Sequence, residues 1–580
     1  MNTAAVTHRA NIEYCYAADN DTVVINIKTA KDVQRAFIIS EDPFIHELRR
    51  ERYWSGVKEE MHILAELEYH ILWTVRIKPK YKRLKYYFEL ESGGETYAVC
   101  ENRICPAGDN DPARMQCYKY AWLNSSDVIS PPEWVKRTVW YQIMPDRFCR
   151  ASDSPENKKF KKWGDFKHPR WNDVYGGDLR GITEKLSYIK SLGVSGIYMT
   201  PIFLSGSNHK YNTYDYSVID PDFGTEDDLR ELIDSAHGMG IRIMLDAVFN
   251  HCGHKFFAWK DVCRHGKDSP YYDWFFINSD KIRNMRFSTE DGRFYSFSFW
   301  SVMPKLNTNN PEVARYFSDL CLHWVRDLGV DGIRFDVGDE VSHTFIRSLN
   351  DAVKAEKPDT FFLGEIWTDS LPWLGGREYD SVMNYPLPDC VNGFFKDTSL
   401  TFDDFIYSLN YCRTMYPEQV TSVLFNFLDT HDTSRVAEIS KSDDELLQKL
   451  AVVMTLPGTP CIYYGTEIAM KGLYSPYNRS TMPWDEINSG KHDVIKAKVS
   501  ELIKLRNTHG SFISRDITFI RHEDKPRLIH YRKDDNTEIY LNAENAPCEV
   551  NARGEILYDN GYEGGILNES GILIINTENR

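Results

Sequence analysis

Between residues 139 and 464 short apolar runs alternate with amphipathic helical stretches. Eight of the runs read as strands: 139–144, 196–199, 242–248, 332–336, 361–366, 381–385, 422–428 and 461–464. Apolar runs separated by helical patterns describe parallel strands buried on both faces. The helical patterns include 229–239 and 311–328. The second opens with Pro311 after Asn310, a side-chain cap followed by proline in the first turn. Eight such units predict a (β/α)8 barrel. A doubly wound sheet is the alternative, but it would rarely need eight units. The gap between the third and fourth strands is long and aromatic, so an inserted subdomain is expected at about 250–310.

The barrel is expected over 126–511, with a β region on each side. In residues 1–125, Val23, Ile25 and Ile27 alternate with polar partners. So do Ile71, Trp73, Val75 and Ile77, and then Leu84, Tyr86, Phe88 and Leu90. Period-two patterning predicts an N-terminal antiparallel β-sandwich with Trp54 and Trp73 in its core. A polar, proline-containing stretch at 124–132 reads as the linker. From 512 to 580 the β texture returns, at 528–531, 538–541 and 572–575, and a C-terminal β-sandwich is expected.

Composition narrows the function classes. The 580 residues carry 69 Lys and Arg against 85 Asp and Glu, a net charge of −16. That balance lacks the basic footprint of a nucleic-acid binder. No apolar run approaches the roughly 20 residues of a membrane span. Residues 1–11 show no apolar leader, and the 12 Cys are scattered singly without metal spacing. Reduced thiols in the cytoplasm are the expectation. Aromatics reach 13%, which suits a protein that stacks flat ligands as well as one with a large core.

Chemistry in a barrel sits where the strands end. The third strand ends in Asp246-Ala-Val-Phe-Asn250-His251, the fourth in Arg334-Phe335-Asp336, the fifth in Gly364-Glu365-Ile366-Trp367 and the seventh in Asp429-Thr-His431-Asp432. Each end delivers a carboxylate to one mouth, and carboxylates crowded together are kept only where they have a use. Two chemistries fit. One is retaining glycoside hydrolysis, with a carboxylate nucleophile and a carboxylic acid that protonates the leaving oxygen. The other is metal-dependent hydrolysis with His and Asp ligands, which the lack of a paired His motif weakens.

These stretches resemble the α-amylase family of glycoside hydrolases, and within it the neopullulanase, cyclomaltodextrinase and maltogenic-amylase group. DAVFNH at 246–251, GIRFD at 332–336, GEIW at 364–367 and HDT at 431–433 stand in the family's order. MPKLN at 303–307 has the form of that group. Supporting matches are YQIMPDRF at 141–148, GGDLRGI at 176–182, NHKY at 208–211 and GTPCIYYGTE at 458–467. The N-terminal β region also resembles that group's starch-module-like domain.

The resemblance implies that Asp336 is the nucleophile, Glu365 the general acid and base, and Asp432 the third carboxylate. It implies that His251 and His431 bind sugar hydroxyls and that Tyr211 stacks on the ring; His209, in the NHKY stretch, is a further substrate-binding candidate. From the residues themselves, Trp367 either lines a subsite or fills the inserted subdomain, and Asp246 is a partner that shapes the site. Arg334, two residues before Asp336, points the same way and should hold Asp336 ionised with a lowered pKa. The resemblance further implies cleavage of α-1,4 bonds in cyclodextrins, maltooligosaccharides and pullulan or starch fragments, with transglycosylation competing. It also implies a homodimer formed through the N-terminal domain. An α-1,6-acting relative and a catalytically silent glycan-binding barrel are the alternatives.

The chain departs from the group in places. Val337-Gly338-Asp339-Glu340 stands where the group has Val-Ala-Asn-Glu, and Thr368 where it often has His. Both differences fall on the acceptor side. No cofactor is required. The group's calcium loop is matched only by Gly176 and Asp178, while Arg150 puts a cation among the expected oxygen ligands.

Overall fold

All eight apolar runs form strands in the computed structural model, which describes residues 1–109, 116–154, 157–280, 282, 288–534 and 536–577. They are β1 (Trp140–Ile143), β2 (Gly196–Met199), β3 (Arg242–Ala247), β4 (Gly332–Phe335), β5 (Phe361–Gly364), β6 (Ser381–Val382), β7 (Phe425–Asn426) and β8 (Thr459–Tyr463). Their order is β6-β5-β4-β3-β2-β1-β8-β7. Every neighbouring pair is parallel. A parallel bridge between Met383 and Phe425 joins the two ends of that order, so the sheet is a barrel and not a doubly wound layer. Trp140, Tyr198, Met244, Phe361 and Phe425 pack together inside it.

Local sequence explains the helices. Helix α1 (Glu226–Gly238) starts at Thr225, whose hydroxyl accepts from the Asp228 N–H while the Asp228 carboxylate accepts from the Thr225 N–H. Helix α2 (Pro311–Leu322) starts at Asn310, whose side chain accepts from the Glu312 N–H. The insert between β3 and β4 is built on aromatics. Phe256 and Trp259 are buried, and Trp259 meets Phe275 and Phe294 at ring distances of 4.8 and 4.7 Å. Residues 281 and 283–287 of the expected insert lie outside the described residues.

The chain divides into two compact units. The second comprises Pro131–Ser399 and Ser422–Arg580. Besides the barrel it contains a six-stranded antiparallel sheet built on Ile566–Asn576, which pairs with Thr537–Asn542, Cys548–Glu549 and Glu555–Glu563.

The first unit comprises Met1–Ser130 and Leu400–Thr421. Its two antiparallel sheets carry the strands Val23–Ala30 and His70–Ile77 on one side, and Arg35–Glu41 and Leu84–Ser92 on the other. Inward residues alternate along Leu84–Ser92, and Trp73 lies in the shared core. Trp54 is half-buried beside Lys85 and Tyr87. Helix α3 (Phe402–Thr414) lies inside the span expected for the barrel, yet it packs with this unit: Asn410 donates to the Glu66 carbonyl at 2.8 Å. Among the described residues no helix is long and apolar enough to cross a membrane.

A buried histidine sits in the first unit. His8 Nδ1 donates to the Asn26 carbonyl at 2.7 Å, and Nε2 accepts from the Tyr86 hydroxyl at 2.9 Å. The rings of Tyr14, Tyr86, Phe88 and Tyr118 surround it. Burial lowers its pKa to about 4. The folded chain therefore keeps His8 neutral while the unfolded chain protonates below its ordinary value. The stability this gives is complete above pH ~6.5 and is lost as pH falls toward ~4, a change of roughly 3 kcal/mol. The stability difference between wild type and His8→Gln, from urea unfolding, should shrink by about that amount between pH 7 and pH 4. A difference that does not vary with pH would refute this.

Candidate active site

The register of β3 on β4 sets Asp246 opposite Arg334. Arg334 and Asp336 are two apart and face the same way. The result is one buried guanidinium shared by three carboxylates. Arg334 Nη1 donates to Asp246 at 2.8 and 3.0 Å and to Asp336 Oδ1 at 2.9 Å, while Nη2 lies 2.7 Å from Glu365 Oε2. The backbone continues the ladder beyond the strands. Asp336 N–H donates to the Ala247 carbonyl at 3.1 Å and Glu365 N–H to the Phe335 carbonyl at 3.0 Å.

One cation cannot neutralise three carboxylates. Arg334 therefore does not hold Asp336 below the usual range, as that pair alone suggests. Burial of the Asp336 carboxyl and the charge of Glu365 push its pKa well above the ordinary value, outweighing Arg334. Burial raises Asp246 as well.

Val337, just after Asp336, has φ of +48°. A β-branched residue there is strained by about 1–3 kcal/mol. The strain turns the Val337 N–H onto Glu365 Oε2 at 2.9 Å. Glu365 Oε1 is held more loosely, by Trp367 Nε1 at 3.2 Å and the Tyr385 hydroxyl at 3.3 Å. Gly338 packs against the same residue. A methyl group there would come within 3.2 Å of the Glu365 carbonyl and 3.0 Å of the Tyr379 hydroxyl.

A relay fixes Tyr211. Gln142 donates to His431 Nδ1 at 2.9 Å, His431 Nε2 faces the Tyr211 hydroxyl at 2.7 Å, and that hydroxyl donates to Asp246 at 2.9 Å. The Tyr211 and His431 rings lie within 3° of parallel. His251 Nε2 donates to the Tyr211 carbonyl at 3.1 Å, and its ring stacks on Phe297 at 4.8 Å. His209 Nδ1 accepts from the Tyr211 N–H at 3.1 Å. Burial lowers His209 and His251 to about 3, and His431 well below its ordinary value. All three rings are neutral at physiological pH. Asp432 is held by a different cation: Arg479 Nη2 donates to its Oδ1 at 2.9 Å.

A cavity of about 520 Å³ opens over these groups. Asp336, Glu365 and Asp432 all line it, with Tyr211, His209, His251 and Trp367. Arg334, Asp246 and His431 are buried behind that wall and act on it through other residues. Asp339 and Glu340 reach the cavity too, and Lys305 binds both Asn250 and Glu340. The sequence reading missed Trp171, which lies in a long loop, and Arg479, the last residue of the 3-10 turn Tyr477–Arg479; no periodicity marks either.

Gly176 and Asp178 do not fit calcium. Asp178 caps a helix, accepting from the Gly181 N–H at 2.6 Å, the Ala151 N–H at 3.2 Å and the Ser154 hydroxyl at 2.5 Å. The Gly176 N–H donates to Asp146. Arg150 Nη2 donates to the Tyr175 carbonyl at 2.5 Å, so the nearby backbone oxygen already has a cation. A hard divalent ion needs six to eight oxygen ligands. Among the described residues no cluster of three or more His, Cys, Asp or Glu could hold a metal.

A model of the alpha amylase catalytic domain matches residues 142–536, and one of the alpha amylase N-terminal ig-like domain matches 1–122. The chain belongs to the α-amylase family of glycoside hydrolases. Within this family it is similar to a cyclomaltodextrinase of Geobacillus thermopakistaniensis (strain MAS1), 38% identical over 568 residues that cover 96% of this chain and 94% of that protein. It is also similar to an intracellular maltogenic amylase of Bacillus subtilis, 36% identical over 95% of each chain. A solved structure of a cyclomaltodextrinase superposes with a TM-score of 0.88 at 33% identity, covering 99% of this chain and 98% of that one.

The shared cation gives this member of the α-amylase family a sharp test. Arg334→Lys keeps the charge but offers one nitrogen where the carboxylates use two. Glycoside-hydrolase turnover should fall roughly a thousandfold, about 4 kcal/mol. A variant keeping a tenth of the activity would contradict the shared-cation account. Separately, EDTA should leave turnover and Tm unchanged; a loss that calcium restores would reinstate the metal site.

Proposed function

We propose that the protein hydrolyses α-1,4-glucosidic bonds of cyclodextrins, maltooligosaccharides and starch or pullulan fragments with retention of configuration. The observation that carries this reading is Arg334 holding Asp336 on one terminal nitrogen and Glu365 on the other. Anchoring on one planar group supports two close carboxyl groups, which a retaining mechanism requires.

In the first step Asp336 attacks the anomeric carbon as the bond to the leaving sugar oxygen breaks. Glu365 gives its proton to that oxygen. Oε2 is fixed by Arg334 and the Val337 N–H, so the more loosely held Oε1 is the oxygen to carry the proton. In the second step Glu365 takes a proton from water, the water oxygen bonds to the same carbon, and Asp336 leaves. Asp432, fixed by Arg479, accepts hydroxyl hydrogens of the sugar stacked on Tyr211. Neutral His209 and His251 border that sugar without adding charge. Cytoplasmic location belongs to the same reading. It is supported by the single scatter of the twelve cysteines along the sequence and by the relative whose name calls it intracellular.

The assay offers β-cyclodextrin, pullulan, soluble starch and isomaltose side by side, with Asp336→Asn as the control. Maltose and glucose should appear faster from cyclodextrin than from starch, and not at all with the variant. Proton NMR of the first product should show the α-anomer; the β-anomer would exclude the retaining mechanism. Glu365→Gln should lose about 10²–10⁴-fold on oligosaccharides and far less on substrates whose leaving group needs no proton. In the active form Glu365 holds the proton and Asp336 is ionised, so the acid limb of kcat/KM belongs to the pair, and burial of Asp336 should set it above the ordinary carboxylate range. A limb at pH ~4 or below would count against this placement of charge.

A further inference from the structure

Trp171 is 59% exposed, yet it lines the cavity of the active site. Its backbone is firmly held. The buried Asn208 side chain donates to the carbonyls of Trp171 at 2.7 Å and Asp173 at 2.8 Å. Arg147, also buried, donates to the same Asp173 carbonyl at 2.8 Å, and the Arg170 N–H donates to the Asp173 carboxylate at 2.8 Å. Two buried side chains from other segments thus fix a turn whose aromatic ring stays in solvent. The guanidinium of Arg479 lies 5.8 Å from the centre of that ring, a cation–π distance.

Position along the cleft gives the ring its use. Glu365 delivers its proton to the leaving oxygen, so the acceptor side is the side of Glu365 and Trp367. Asp432 and Tyr211 hold the sugar that is attacked. Arg479 binds Asp432 with one nitrogen and carries Trp171 above it. Trp171 is therefore the next surface outward on the side away from the leaving group. Tyr211 already takes the first ring, so the indole meets the second.

Resting on the hydrolase reading above, we propose that Trp171 forms the subsite for the second glucose unit on the glycone side, by stacking on the apolar face of that sugar. A flat, rigid indole offers a large contact area at small conformational cost.

Two chromogenic substrates test the assignment. p-Nitrophenyl α-glucoside fills one glycone position and p-nitrophenyl α-maltoside fills two. In Trp171→Ala the ratio of kcat/KM on the maltoside to kcat/KM on the glucoside should fall about tenfold, and Trp171→Phe should recover part of it. A ratio equal to that of wild type overturns the subsite, and so does a loss of the same size on both substrates, which marks a scaffold role. A wild-type protein that turns over neither substrate nor cyclodextrin overturns the hydrolase reading itself, and the subsite with it.

Discussion

A single buried guanidinium organises this molecule. Arg334 is enclosed by the barrel and binds Asp246, Asp336 and Glu365 at once. Burying four ionisable groups is unfavourable unless their hydrogen bonds are nearly complete. Tyr198 and Tyr211 donate to Asp246, the Val337 N–H donates to Glu365, and both tyrosine rings lie near the guanidinium. Removing any one partner leaves charge uncompensated for the others. Effects of substitutions among these residues should therefore not add.

The barrel brings these groups together because each comes from a different strand end. Parallel pairing fixes the height of every strand against the next, so the step from Asp246 to Arg334 to Glu365 is a matter of register. The strained Val337 completes the arrangement. Its cost is borne where the backbone must leave β4 and still offer an N–H to the neighbouring strand end.

Much of this was readable in the sequence. Buried parallel strands are continuous apolar runs, which is why all eight could be found, and a carboxylate at a strand end is conspicuous because it interrupts such a run. What the sequence hid depends on distant partners. Asp336 beside Arg334 suggests a lowered pKa, but the reverse holds once Glu365 and burial act on the same carboxyl. Nothing local in Leu400–Thr421 says that it packs with the N-terminal strands. Arg479 and Trp171 carry no periodic signal, and only the folded chain brings Arg479 to Asp432 and Trp171 to Arg479. Gly176 and Asp178 matched a calcium loop in type, but the Asp178 carboxylate is spent on a helix cap and the Ser154 hydroxyl, and Arg150 sits on the neighbouring Tyr175 carbonyl.

The ion pair behind Tyr211 has a consequence for the medium in which the protein works. Lys210, at φ +64°, is buried and binds the equally buried Asp220 at 2.8 Å. Dissolved ions screen charges that face water, over about 8–10 Å at physiological strength, and reach buried pairs far less. Lys210–Asp220 and the Arg334 centre thus sit in fields that salt screens only weakly. Asp432, about one-third exposed beside Arg479, faces the solvent side. On the proposed reading, ionic strength therefore acts more on Asp432, which would grip the sugar, than on the more deeply buried Asp336 and Glu365.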